Sequence, residues 1–64
     1  MKEYTMTELF RLSRAELLTL DHQTAMAISH LPERSEQTTI ALINQRRIRR
    51  ELGRRDFERD FGLG

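Results

Sequence analysis

Two markers nineteen residues apart fix one helix before anything else is known. Ser13-Arg14-Ala15-Glu16 has the S-x-x-E spacing of a capping box, in which a hydroxyl and a carboxylate each satisfy an amide the first helical turn leaves unpaired. Leu12 before the cap and Leu17 after it have the spacing of a hydrophobic staple. At the far end stands Pro32, and the residue before a proline is pushed out of the α region. The stretch between them, RAELLTLDHQTAMAISHL, is therefore expected to be a helix over about 14–31.

LPERS follows as a short polar linker. Ser35 is a suitable cap for a second helix, and Glu36 sits where the positive end of its dipole favours an acid. Gly53 reads as a left-handed C-terminal stop, which sets this helix at 36–52. Two helices of such length joined by so few residues are expected to lie antiparallel. The fold class is accordingly all-α, a helical hairpin within a single domain spanning 1–64.

The flanks add short turns. Thr5-Met6-Thr7-Glu8 repeats the capping-box spacing, so TELFRL is expected to form one or two helical turns. Beyond Gly53, RRDFERDFG carries Arg-Asp-Phe twice and places Phe57 and Phe61 four apart on one helical face, consistent with a further short helix ending at Gly62.

So short a chain limits the core. A domain of this size buries only about 60% of the surface exposed when unfolded, and there is no cysteine to form a disulfide or a thiolate metal site. Its few aliphatic side chains fall short of a self-sufficient core, so dimerisation, or completion on a partner, is expected. The aromatics Tyr4, Phe10, Phe57 and Phe61 are expected inside, because a core this small needs them. No apolar run approaches the roughly 20 residues of a membrane span, and the start lacks the apolar stretch of a signal peptide. A cytoplasmic location without membrane association is the expectation.

The helix faces carry an unusual feature. On the first helix Leu17, Leu20, Ala27, Ile28 and Leu31 share a side with Asp21 and Thr24. On the second, Ile40, Ala41, Ile43, Ile48 and Leu52 share a side with Asn44, Arg47 and Glu51. Charges on a packing face are costly unless paired. The simplest arrangement joins Asp21 to Arg47, with Asn44 and Glu51 completing the set within the hairpin or across a dimer. The competing reading, a ligand pocket lined by these four, is disfavoured because a two-helix hairpin offers little concavity.

Net charge is only +1, yet seven of the ten arginines fall between Arg46 and Arg59. Arg47 faces the core, Arg50 its edge, and Arg46 and Arg49 point outward. A solvated, internally paired face and a binding patch are both open readings of this segment. The candidate binding residues are Arg46, Arg49, Arg50, Arg54 and Arg55. Arginine forms planar, bidentate contacts to carboxylate and phosphate, which suits specific recognition over diffuse attraction. An acidic protein, a nucleoprotein, DNA or RNA are the partner classes this implies. A helix-turn-helix reader would expose Thr38, Thr39, Gln45, Arg46 and Arg49, but both main helices are long and the turn contains proline, unlike the compact motif.

Enzyme chemistry finds no footing. All three glycines lie in the last twelve residues, so no phosphate-cradling loop exists. His22 and His30 are about 12 Å apart along one helix, too far to share a metal. Ser13 and Ser35 are explained as caps. No enzyme activity, metal or cofactor is expected.

TELFRLSRAELLTL (7–20) and RRIRRELGRRDF (46–57), separated by LPERS, resemble a group of short uncharacterised proteins encoded on bacterial conjugative plasmids and integrative elements. The DFERDFGLG end departs from that pattern. The resemblance implies an accessory role in a mobile element, in regulation, transfer or inhibition of host defence, and assigns no site residue.

Overall fold

The computed structural model describes residues 1–60, the side chains of the last two excepted, and three helices account for most of them: α1 (Met6–Phe10), α2 (Arg14–His30) and α3 (Glu36–Asp60). No strand occurs among the described residues, and the chain is all-α. Both capping boxes form. Thr5 accepts from the Glu8 amide while the Glu8 carboxylate accepts from the Thr5 amide, and Ser13 and Glu16 do the same one helix later. The backbone and hydroxyl bonds from Ser13 hold the Glu16 carboxyl below its usual range. At Leu31 the backbone is extended, with ψ 150°, as the following proline requires. Ser35 Oγ accepts from the Thr38 amide at 3.1 Å and opens α3.

The second helix does not stop at Gly53. It continues to Asp60, and the expected break with a separate short helix is replaced by one helix of 25 residues. The reason lies in the charges on either side. Glu51 binds Arg54 and Arg55, and Arg54 binds Glu58, all at i,i+3 or i,i+4 spacings that exist only if the helix runs on. Arg14 on α2 also reaches Asp56 at 3.3 Å, tying the continuation down. The expected end at Gly62 and the position of Phe61 lie outside the described residues.

Gly53 is thus an exposed mid-helix glycine, and a Cβ added there would meet nothing within 4 Å. Glycine inside a helix is destabilising by about 0.5–1 kcal/mol relative to alanine. Gly53→Ala is expected to raise the melting temperature by about 2–8 °C in a chain of this size, measured by helical circular dichroism. A lower melting temperature would show that residue 53 is not helical.

α3 is the spine, and both other helices pack on it. The principal-axis extents are 42 × 19 × 16 Å, the longest close to the roughly 37 Å length of α3. Leu9 of α1, Leu17 of α2 and Ile48 of α3 meet in a fully buried cluster, ringed by Tyr4, Met6, Leu12, Leu20 and Leu52. Ala41 is buried as well. Farther along, Ile28, Leu31, Ile40 and Ile43 are only half-covered. The aromatics do not fill the core as expected: Phe10 and Phe57 are 53% and 61% exposed, and Tyr4 is half-buried at its edge. Aliphatic side chains from three helices occupy the small space instead.

The N-terminal segment supplies the rest of the fold. Asn44 Nδ2 donates to the Lys2 carbonyl at 2.7 Å, and the Tyr4 amide donates to Asn44 Oδ1 at 2.8 Å. The buried amide side chain thereby stands in for the peptide of a neighbouring strand. Arg47 adds a donor to the Tyr4 carbonyl at 2.6 Å and a contact to Glu3 at 3.2 Å.

Candidate functional site

The polar residues on the packing faces do not converge. Asp21 pairs with Arg49, not Arg47, at 3.2 Å. Arg47 and Asn44 are taken by residues 2–4, as described, and Glu51 turns to its own helix. The expected Asp21–Arg47 pair is therefore absent, and the four side chains line no common pocket, as they serve three separate contacts. Thr24, fully buried, donates its hydroxyl to the Leu20 carbonyl at 2.7 Å, which lets a polar side chain sit in a packed face. Every buried side-chain nitrogen and oxygen among the described residues has a partner.

The five candidate arginines divide into two groups. Arg49 is held by Asp21. Arg54 donates to Glu51 at 2.8 and 2.7 Å and to Glu58 at 2.5 Å, and lies over the Phe10 ring at 5.6 Å. Arg55 donates to Glu51 at 2.6 Å and to the carbonyls of Leu9 and Phe10, both at 3.3 Å. These three are structural as well as cationic. Arg46 and Arg50 are exposed and form no ion pair or hydrogen bond with any described residue. The run Arg46–Arg55 thus reduces to two open guanidinium groups beside a partly neutralised cluster.

Glu51 anchors that cluster. Its side chain is fully buried, closed over by two guanidinium groups more than by depth, since Arg54 remains half-exposed. Hydrogen bonds from Arg54, then from Arg55, outweigh desolvation and hold its carboxyl at about 2, against an ordinary value of 4.5. The same contact raises Arg54. In the N-terminal segment Lys2 bonds Glu8, lowering that carboxyl, and its ammonium lies 5.4 Å from the Tyr4 ring centroid.

Between α1 and α3, Met6, Phe10, Arg50, Glu51 and Arg54 line an open cleft of about 370 Å³. A second groove of about 390 Å³ lies between Tyr4 and the first half of α2. No group of three His, Asp or Glu side chains among the described residues is placed to hold a metal ion. His22 and His30 are both exposed. No helix among the described residues is long and apolar enough to cross a membrane. Thr38 is buried, its hydroxyl hydrogen-bonded to Pro32 and Ser35, so it cannot join the outward face a helix-turn-helix reader would use.

The i,i+3 and i,i+4 spacings of Glu51, Arg54 and Arg55 were a readable signal for pairing, overridden by the stop assigned to Gly53. The Asn44 clamp on residues 2–4 has no local signature, because its partners are about forty residues away in sequence. No family model, no curated protein and no solved structure matches the chain.

Proposed function

We propose that this chain is a small non-enzymatic helical interaction module that presents the outer side of α3 to an acidic partner. The observation that carries the reading is the division of the arginines: Arg47, Arg49, Arg54 and Arg55 are held by internal acceptors, whereas Arg46 and Arg50 stand exposed without one among the described residues. A cation left in solvent on a rigid helix is pre-organised for a carboxylate or phosphate. α2 and α3 act as an antiparallel hairpin, a reading supported by ion pairs linking early α2 to late α3 (Arg14–Asp56) and mid-α2 to mid-α3 (Asp21–Arg49). The half-covered Ile28, Leu31 and Ile40 near the linker favour pairing with a second copy, while Leu17 and Ile48, on the same apolar stripes, are spent inside one chain. An accessory role for a mobile genetic element in the cytoplasm rests on the resemblance of 7–20 and 46–57.

A protein or nucleoprotein partner fits better than bare nucleic acid. Proteins that track a phosphate backbone neutralise several charges at once, commonly about 6–10, and here two arginines are unoccupied and acids are interleaved with the rest. Arg46→Glu combined with Arg50→Glu is expected to weaken capture of partners from a bacterial lysate at least tenfold without changing the melting temperature by more than about 2 °C, because neither side chain supports the fold. Capture that survives the double reversal would overturn the reading. A nuclease-treated arm separates nucleic-acid-mediated capture, which the DNA- or RNA-binding alternative requires.

A further inference from the structure

α3 is flanked on two sides. α2 flanks it through Asp21–Arg49 and Arg14–Asp56, and the N-terminal segment with α1 flanks it through Asn44, Arg47 and Arg55. Successive residues advance about 100° around a helix. Leu42, Arg46, Arg50, Gly53 and Phe57 therefore share one strip about 80° wide, turned away from Ile48 and Glu51, and all five are exposed. Their spacing of four, four, three and four residues is close to that of a seam between two packed helices. The strip runs about 22 Å, with Leu42 46% exposed at one end and Phe57 61% exposed at the other. At its start Thr39, Leu42, Ile43 and Arg46 enclose a shallow groove of about 200 Å³.

Gly53 lies within this strip, and nothing inside the chain asks for a glycine. No positive φ demands it, and no neighbouring atom would meet its Cβ. A missing side chain on an exposed helix face lets another backbone approach closely. The two open cations, Arg50 one turn before the glycine and Arg46 two turns before it, say what charge that visitor carries.

We propose that the outer face of α3 is a docking surface for one acidic amphipathic helix of a partner protein, which crosses α3 closest at Gly53, sets carboxylates against Arg46 and Arg50, and covers Leu42 and Phe57. This deepens the function proposed above and rests on it. A second copy of this chain suits the surface less well: parallel pairing would set Arg46 and Arg50 against themselves, and antiparallel pairing about Gly53 would set Arg50 opposite Asp56, which is already bound to Arg14. Nucleic acid does not suit it either, because apolar side chains close both ends of the strip and only two cations lie between them.

The test uses a synthetic amphipathic peptide of about 20 residues, long enough to form several helical turns, with glutamates and leucines on one face. Controls are a scrambled peptide of the same composition and a DNA duplex of similar length. Binding is measured by fluorescence anisotropy to the full chain. The proposal expects the amphipathic peptide to bind at least tenfold tighter than the scrambled one. It also expects Gly53→Leu to weaken binding at least tenfold while leaving the melting temperature unchanged or raised, so that loss of binding is not loss of fold. If Gly53→Leu binds as the parent does while Arg46→Glu with Arg50→Glu does not, helix docking over Gly53 is wrong and the cationic-patch reading stands. If the charge reversal also has no effect, both fall. No peptide binding at about 100 µM, equal binding of the scrambled peptide, or tighter and steeply salt-dependent binding of the duplex each overturns the proposal.

Discussion

Ile48→Ala is expected to abolish cooperative folding near room temperature. The side chain is fully buried where α1, α2 and α3 meet, against Leu9 and Leu17. Truncating a buried isoleucine to alanine costs about 2–5 kcal/mol, through lost transfer energy and the cavity left behind. A chain of this length has about 3–10 kcal/mol in total, and a core of so few side chains belongs at the low end. The cavity cannot be refilled cheaply, because its lining comes from three helices and two of them contact each other mainly through α3. Leu18→Ala is the control: that leucine is 46% exposed, and its loss should stay within about 0.5 kcal/mol. Thermal melts followed by circular dichroism read both, and similar melting temperatures for the two variants would contradict the placement of the core.

The second large effect belongs to Glu51. Glu51→Ala leaves the Arg54 and Arg55 guanidinium groups close together with no shared acceptor, and removing one partner of a buried charge pair costs about 3–5 kcal/mol. Arg54 is half in water and keeps Glu58, so about 2–3 kcal/mol is expected here. Replacing Glu51 and Arg55 together by leucine should restore most of the loss, since a hydrophobic pair can substitute for a buried ion pair. If the double replacement is worse than Glu51→Ala, the cluster contributes more than charge balance.

The same carboxylate sets part of the acid response. Its folded value of about 2 lies below the ordinary 4.5, so the folded state binds this proton less readily than the unfolded state. The stabilisation is complete above about pH 4.5 and fades as pH falls towards 2. Its ceiling is about 3 kcal/mol, lowered by the water that reaches Arg54. Urea titrations at pH 6 and about pH 3 should show a smaller loss in Glu51→Gln than in the parent chain. Glu8 and Glu16, also held below their usual range, titrate in the same direction and remain in both proteins.

What could be read in advance was local. Thr5–Glu8, Ser13–Glu16, Ser35 and Pro32 announce where helices begin and end through groups within four residues of one another, and all four act as read. Gly53 failed because glycine permits a stop without compelling one, and the i,i+4 pairs around it favour continuation. The pairing of Asp21 was out of reach for a different reason. Arg47 and Arg49 lie about 200° apart around α3, and the pairing depends on which side each neighbour packs: α2 runs along the side of Arg49, and the N-terminal segment along that of Arg47. Among the five candidate arginines, composition supplied the segment, while the distinction between held and open guanidinium groups needed the positions of Glu51, Glu58 and Asp21 in space.

The Asn44 clamp has a consequence for how the chain is made. Residues 2–4 are translated some forty positions before their hydrogen-bond partners, Asn44 and Arg47. In a nascent chain this segment cannot settle until the first half of α3 has emerged, and then a long loop must close against entropy. A stretch made before either long helix is fastened only after the second of them has begun to form.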